Sequence, residues 1–164
     1  MNEKEFIEIV NGNRALIYKV CNLYCRDPEA RKDLFQEVVL QLWKSFPGFK
    51  HHAAHSTWIY RVSLNTAISN FRKQSRQPEG IGLTLAEFEI PDMYETSGME
   101  KRSVLQEAID RLNEIEKAII MLYLDEKTYD EISDIIGISS SNVGVRLNRI
   151  KTKLTKLIKT GYEY

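Results

Sequence analysis

Residues 128–149 read TYDEISDIIGISSSNVGVRLNR and carry the clearest structural pattern in the chain. Thr128 and Glu131 have the spacing of a capping box, in which two side chains satisfy each other's free backbone donors at a helix start. Gly137 suits the tight turn that ends this short helix, and Ser139 is a good cap for a longer helix after it. A short capped helix, a glycine turn and a longer helix together predict a helix-turn-helix.

The second predicted helix of this pair has two unlike faces. Apolar residues at positions 143, 147, 150, 154 and 157 form one face, which we expect to be buried. The other face has little bulk at its tip, carries hydrogen-bonding groups and cations, and contains no acid, which suits the major groove of DNA. The predicted duplex contacts are Ser140, Ser141, Asn142, Val145, Arg146, Arg149 and Lys153.

Helical spacing of apolar residues runs through the rest of the chain, and no convincing strand pattern is found, so we predict an all-α fold. Asp27, followed by Pro28, is a predicted helix cap, and Ser56 is another. The first half of the chain therefore predicts three helices, over about residues 3–24, 28–46 and 57–76.

The net charge of the 164 residues is zero, but the charges are unevenly distributed. Residues 1–77 carry 12 basic and 7 acidic side chains, whereas residues 78–100 carry 6 acidic and no basic ones. Proline and glycine interrupt this acidic segment, and together these features predict a flexible linker over 78–102, between helical domains 1–77 and 103–164. The basic end of the chain suits phosphate binding, although a solvated lysine-rich face has the same composition.

Composition excludes several classes of protein. Hydrophobic residues make up 43% of the chain and charged residues 28%, which is typical of a globular protein. The chain has no apolar run of the roughly 18–20 residues that would cross a membrane, and no apolar signal segment follows its N-terminus. Two cysteines are too few for a disulfide framework. We therefore expect a cytoplasmic protein without direct membrane insertion.

Two clusters have spacings that metal ligands can adopt, namely Cys21 with Cys25 and the histidines at 51, 52 and 55. The histidines fall between Pro47-Gly48 and the Ser56 cap, which predicts a loop, and no glutamate lies among them to act as a general base. The cysteines are expected to pack as small apolar groups. No nucleophile constellation or phosphate-binding glycine loop is found, so we expect no metal, no cofactor and no enzyme activity.

Four motifs in chain order resemble those of a known family. They are residues 27–37 (DPEARKDLFQE), the continuation Leu42-Trp43 with Phe46, residues 57–62 (TWIYRV) with Asn65, and the helix-turn-helix from Tyr129. Together they resemble bacterial sigma factors of the extracytoplasmic-function class, the minimal form with the second and fourth conserved sigma regions. The resemblance extends from Arg14 to Lys159.

This resemblance implies an alternative sigma factor that binds core RNA polymerase, through the clamp helices and the flap, and promoter DNA. Asp33, Gln36 and Glu37 would meet the clamp helices. The second sigma region would read the minus-10 element as a melted single strand, and the helix-turn-helix would read the minus-35 element in the major groove. The class is usually held by an anti-sigma factor. The implied minus-10 contacts are Trp58, Tyr60, Arg61, Asn65, Arg72 and Lys73.

Several alternatives stay open from sequence. The face with Asp33 has the composition of an ordinary solvated helix face, and Trp58 or Tyr60 suits a core position equally well. A DNA-binding regulator that acts without polymerase would also use the helix-turn-helix. Gly144 stands where the family commonly has a lysine or another polar residue, which removes a phosphate contact and loosens the helix by about 1 kcal/mol. Promoter preference is therefore not carried over from the family.

Overall fold

The computed structural model describes residues 3–49, 55–75 and 103–162, and every regular element in these ranges is helical. The predicted all-α fold is confirmed. The predicted linker, residues 78–102, lies outside the described residues, as do His51 and His52. The N-terminal module contains α1 (Glu3–Gly12), α2 (Arg14–Tyr24), α3 (Pro28–Ser45), a 3-10 turn (Phe46–Gly48) and α4 (His55–Ser75). The C-terminal module contains α5 (Val104–Asp110), α6 (Glu114–Leu124), α7 (Tyr129–Ile136) and α8 (Ser140–Tyr162).

Two helix boundaries in the N-terminal module differ from the prediction. The single helix predicted over about 3–24 is broken after Gly12, because glycine and asparagine are poor interior helix residues and the side-chain amide of Asn13 donates to the Ile9 carbonyl at 2.8 Å. Helix α4 begins at His55, two residues earlier than a cap at Ser56 implies. Ser56 therefore lies in the first turn rather than at the cap, and His55 is helical rather than part of a loop.

The cap of α3 is confirmed. The Asp27 carboxylate accepts a hydrogen bond from the Ala30 amide at 3.0 Å, and Pro28 occupies the first helical position. Helices α2, α3 and α4 then pack around fully buried aliphatic side chains such as Ile17, Val38 and Ile59. This packing fixes the outward direction of the remaining faces of α3 and α4.

The C-terminal module is built around the helix-turn-helix. Helix α8 packs on α5, α6 and α7 through Val143, Leu147 and Ile150, which are all buried. The opposite side of α8 faces outward. None of the described helices is long and apolar enough to cross a membrane.

The two modules also contact each other, chiefly where α4 packs against α7 and α6. Buried residues of both modules belong to one contiguous core cluster. Outward-facing positions on α4 are therefore not all open to solvent.

Candidate nucleic-acid and polymerase interfaces

The helix-turn-helix has the local geometry expected from its sequence. The Thr128 hydroxyl accepts from the Glu131 amide at 3.1 Å, and the Glu131 carboxylate accepts from the Thr128 amide at 3.0 Å. The bonds from Thr128 lower the pKa of the Glu131 carboxyl below its ordinary value. Gly137 has φ of 87°, the left-handed conformation that favours glycine. The predicted helix-turn-helix is confirmed.

The predicted duplex contacts lie along one side of α8, here called the α8 face. Ser141, Val145 and Arg149 are exposed, and Ser140, Asn142 and Arg146 are half-buried. The Ser139 hydroxyl accepts from the Asn142 amide at 3.2 Å, which holds the first turn. Within the described ranges, Arg146 and Arg149 form no hydrogen bond or ion pair, so their guanidinium groups are available to a ligand. The members of the α8 face are Ser140, Ser141, Asn142, Val145, Arg146, Arg149 and Lys153.

Three residues of the α8 face already have side-chain partners within the C-terminal module. The Ser140 hydroxyl donates to the Asp130 carboxylate at 2.5 Å, and the Ser141 hydroxyl lies 3.3 Å from that of Ser139. Lys153 pairs with Glu116 at 3.0 Å. These contacts would have to be exchanged for contacts with DNA on binding.

Gly144 has a structural role that the sequence did not reveal. A Cβ at this position would lie 3.3 Å from Cε2 of the Tyr129 ring, so glycine lets the ring lie close to α8. Tyr129 is the first residue of α7 and is 42% exposed. The expectation that Gly144 merely loosens the helix is incomplete, because it also makes room for the ring.

Helix α3 presents an exposed surface that we call the α3 strip. Asp33, Gln36 and Glu37 lie on it, all exposed, as the helical spacing predicted. Leu40 and Trp43 extend it by almost two turns, and they are 44% and 42% exposed. Trp43 also contacts the Phe6 ring edge-on, with the ring centroids 5.0 Å apart. Sequence reasoning did not find the apolar half of the strip, although two successive steps of three residues, from Glu37 to Leu40 and from Leu40 to Trp43, contained the signal.

The predicted minus-10 contacts, Trp58, Tyr60, Arg61, Asn65, Arg72 and Lys73, form the α4 face, and they are in unlike environments. Trp58 is 7% exposed and stacks on Phe49, with ring centroids 4.6 Å apart. It therefore occupies the core position that the sequence had left as an alternative, and it offers no open ring for a base. Asn65 and Lys73 are exposed and line a groove of about 700 Å³ whose other wall includes Asp33 and Glu37.

The other three residues of the α4 face contact the C-terminal module. Tyr60 is 2% exposed, and its hydroxyl donates to the Asp125 carboxylate. Arg61 donates to the Asp134 carbonyl at 2.7 Å, and Arg72 pairs with Glu114 at 2.8 Å.

The titration of these groups reflects the same contacts. Burial, assisted by the bond to Asp125, raises the pKa of the Tyr60 phenol well above its ordinary value. Hydrogen bonds from Lys19 and Tyr60 lower the pKa of Asp125, and the bond from Arg72 lowers that of Glu114. Both carboxylates are therefore charged at neutral pH.

The structure adds no support for a metal site. Cys21 and Cys25 are buried, and burial raises the pKa of the Cys21 thiol to about 12, which disfavours the thiolate that binds zinc. His55 is exposed and lies against the Phe49 ring. In the part of the chain that the structure describes, no group of three or more His, Cys, Asp or Glu side chains could hold an ion.

Solved structures of the same fold include two complexes. The sigma factor RpoE bound to the anti-sigma factor NepR from Bartonella quintana matches 95% of this chain and 98% of its own, with a TM-score of 0.70 and 15% identity. CnrH bound to the cytosolic domain of CnrY matches 97% of this chain and 90% of its own, with a TM-score of 0.68 and 16% identity. At these identities the likeness concerns the fold.

Sequence comparison gives the family. The family model for Sigma-70 region 2 matches residues 9–77, and that for Sigma-70, region 4 matches residues 102–154. The RNA polymerase sigma factor YlaC of Bacillus subtilis is 26% identical over 78% of this chain and 77% of its own length. The ECF RNA polymerase sigma factor SigW of the same organism is 25% identical over 96% of this chain and 91% of its own. Two regions matched in order, with relatives that span most of both chains, show that this protein belongs to the sigma-70 family of RNA polymerase sigma factors and to its extracytoplasmic-function class.

Proposed function

We propose that this chain binds core RNA polymerase through the α3 strip and directs it to promoters by reading a minus-35 element with the α8 face and a melted minus-10 element with the α4 face. A role as an alternative sigma factor in transcription initiation follows from the family. The single observation that carries the proposal is the coexistence of an exposed α3 strip and an open, acid-free α8 face in one chain.

The α3 strip has the chemistry of a protein-binding surface. Its polar half offers two carboxylates and an amide that can form charge-assisted hydrogen bonds to a basic partner. Its apolar half exposes Leu40 and Trp43, and aromatic side chains are enriched at the centres of interfaces. A regulator that works without polymerase has no use for this surface, which is why we favour the sigma-factor function over that alternative.

The α8 face has the chemistry of a duplex reader. Arg149 is exposed, whereas Arg146 is half-buried. Arginine can contact guanine edges in two places or neutralise phosphates, and the small side chains at 140–142 let the helix tip approach the bases. We assign Arg146 and Asn142 to base contact and Arg149 to phosphate contact.

The α4 face supplies the groups that a melted strand requires. Single-stranded DNA is bound by aromatic stacking and by cations that follow the backbone. Arg61, Arg72 and Lys73 can supply the cations, and Asn65 a hydrogen-bonding group. The Tyr60 ring is 2% exposed and its hydroxyl is bound to Asp125, so it can stack on a base only once the C-terminal module has moved away from α4. Trp58 supports the start of α4 from the core and is assigned no direct stacking role.

An anti-sigma partner is part of the proposal. Two solved structures with this fold are complexes. One contains the sigma factor RpoE with the anti-sigma factor NepR, and the other contains CnrH with the cytosolic domain of CnrY. A partner of this kind is expected to compete with core polymerase for the free chain. Competition binding would test it, since simultaneous binding of partner and core polymerase would contradict the expectation.

Run-off transcription tests the proposed function directly. The purified chain is mixed with core RNA polymerase and a library of templates with randomised upstream sequence. We expect RNA chains from a subset of templates that share two short elements at a fixed spacing. Absence of initiation on every template, with duplex binding retained, would favour the polymerase-independent regulator instead.

A further inference from the structure

Four neutral residues form a narrow row along the exposed side of α8. An α-helix turns by about 100° per residue, so Ser141, Val145, Asn148 and Thr152 fall within a sector of about 60°. All four are exposed, and the sector lies opposite Val143, which is fully buried. We call these four residues the central row. Asn148 and Thr152 were not among the duplex contacts predicted from the sequence.

Cationic side chains lie along both edges of the central row. Arg149 and Lys153 follow one edge, and Lys151 follows the other, where its ammonium donates to the Tyr123 hydroxyl at 3.0 Å. Cations suit the phosphates that border a DNA groove, whereas neutral hydrogen-bonding and apolar groups suit the base edges at its floor. The central row therefore has the composition of a base-reading surface between two phosphate-binding edges.

Asn148 supplies a carboxamide to the central row. It lines a shallow groove of about 390 Å³ together with Arg149 and Thr152. Among the described residues its side-chain amide has no hydrogen-bond partner, and the Thr152 hydroxyl donates to the Asn148 backbone carbonyl, at 3.0 Å. Both the donor and the acceptor of the carboxamide are therefore available to a ligand.

Gly144 leaves Asn148 uncovered. Residues four apart on a helix are neighbours on its surface, so a long side chain at 144 would lie across the Asn148 amide. Gly144 has no such side chain, and the atom nearest to the place of its missing Cβ is Cε2 of Tyr129, at 3.3 Å. Glycine at this position therefore opens the approach to Asn148, in addition to making room for the ring.

Val145 and Asn148 have a spacing that suits neighbouring base pairs. Three residues of helix rise by about 4.5 Å, close to the roughly 3.4 Å between base pairs. An asparagine amide can bond N6 and N7 of adenine together, and an apolar side chain can contact the 5-methyl group of thymine. Val145 is 47% exposed, so its methyl groups are available for such a contact.

We propose that Asn148 and Val145 determine the sequence preference of the α8 face, Asn148 by bonding an adenine and Val145 by contacting the methyl group of a thymine at the neighbouring base pair. This inference rests on the proposed function, because it names the bases that the α8 face reads. It adds Asn148 to the residues that contact duplex DNA. The preferred duplex then contains two adjacent A·T pairs, each read in the major groove.

Selection from a library of duplexes with a randomised segment identifies the bases. The full chain is used without polymerase, and the bound duplexes are sequenced. We expect the wild type to enrich one element with an adenine and a thymine at neighbouring base pairs. Asn148→Ala should lose the preference for the adenine and keep that for the thymine, and Val145→Ala should do the reverse. Asn11→Ala is the matched control, because it removes an exposed amide from α1 and should enrich the same element as the wild type.

Base analogues in the selected duplex test each contact at the level of single atoms. Replacing the adenine by 7-deazaadenine removes N7 and should weaken binding of the wild type by about fivefold, because one hydrogen bond is lost. Replacing the thymine by uracil removes only a methyl group and should weaken binding by about threefold. Asn148→Ala should be insensitive to 7-deazaadenine, and Val145→Ala should be insensitive to uracil. Titration of fluorescent duplex gives each affinity.

Three outcomes would overturn the inference. They are the absence of any selected element, an element without neighbouring adenine and thymine, and equal sensitivity of the wild type and Asn148→Ala to 7-deazaadenine. The proposed function fails in a different experiment, since none of these measurements uses polymerase. A chain that never initiates RNA synthesis would still select adenine through Asn148, and a chain that initiates normally without this preference retains the proposed function and loses the inference.

Discussion

The α8 face and the α4 face carry similar groups, with arginines at 146 and 149 on one and at 61 and 72 on the other, each near an asparagine. On α8, Arg149 is exposed and has no partner among the described residues. On α4, Arg61 and Arg72 donate to the C-terminal module, and Tyr60 is buried beneath it. The comparison shows that both surfaces have a composition suited to DNA binding, whereas tertiary packing determines which of them is accessible to DNA in the free chain.

The largest expected effect is on the stability of the fold, and it comes from truncating a buried side chain that holds α8 in place beneath the α8 face. Leu147 is fully buried on the side of α8 opposite the α8 face. Leu147→Ala should lower the free energy of unfolding by about 2–5 kcal/mol, because the substitution leaves a cavity in a packed core. Urea denaturation measures this loss.

Val145→Ala is the control for Leu147→Ala, because Val145 lies on the same helix and is 47% exposed. It should change the free energy of unfolding by less than about 0.5 kcal/mol. Equal destabilisation by the two variants would contradict the orientation of α8, and with it the identity of the open face.

The α3 strip provides a third surface that is independent of the other two. Asp33→Ala with Gln36→Ala should weaken binding of core polymerase by about tenfold or more, because hydrogen bonds to charged groups are worth roughly 1.5–3 kcal/mol. Titration of labelled core polymerase measures the change. The affinity for duplex DNA should stay unchanged.

The control for the α3 strip variant is Glu8→Ala with Asn11→Ala, which removes an exposed acid and an exposed amide from α1. It should leave polymerase binding intact. If both variants bound core polymerase as tightly as the wild type, the α3 strip would be an ordinary solvated surface.

A direct test of the comparison uses one arginine from each face. Arg149→Ala should reduce the salt slope of duplex binding by about 0.9, the value for one phosphate contact. Arg61→Ala should leave that slope unchanged in the free chain, because its guanidinium is already bound to the Asp134 carbonyl. Affinity measured across a series of salt concentrations gives both slopes. Equal salt slopes for the two variants would mean that the α8 face and the α4 face do not differ in their accessibility to DNA.

Local sequence patterns were sufficient for much of the fold. The Asp27 cap and the Thr128–Glu131 capping box depend on residues within one turn of each other, and both are confirmed. The same holds for Gly137, whose conformation follows from its place after a short helix. Helix existence was also predictable from apolar spacing, apart from the break after Gly12.

The accessibility of the candidate site could not be predicted in this way. Lys19 and Asp125 are 106 positions apart, and Arg61 and Asp134 are 73 apart, so no local pattern relates them. The uneven charge of the two halves pointed to DNA but did not reveal that the basic half meets acids of the same chain. Trp58 illustrates the same limit, since its spacing suits both a core and a surface position, and only the Phe49 contact distinguishes them.

The smallest expected effect is a change in stability at Gly144, where α8 packs against the Tyr129 ring. Gly144→Ala gains about 1 kcal/mol of helix propensity, but its Cβ would lie 3.3 Å from the Tyr129 ring. Because Tyr129 is 42% exposed, its ring can move by a few tenths of an ångström at little cost. We therefore expect a net stabilisation of about 0.5 kcal/mol, measurable by urea denaturation.

A double-mutant cycle with Tyr129→Ala separates the two contributions. In the Tyr129→Ala background the close contact is absent, so Gly144→Ala should stabilise the chain by nearly the full propensity difference of about 1 kcal/mol. The same increment in both backgrounds would mean that the ring does not constrain position 144. If Gly144→Ala instead destabilised only the chain with Tyr129, the ring would be fixed against α8, and the shape of the open face would depend on that contact.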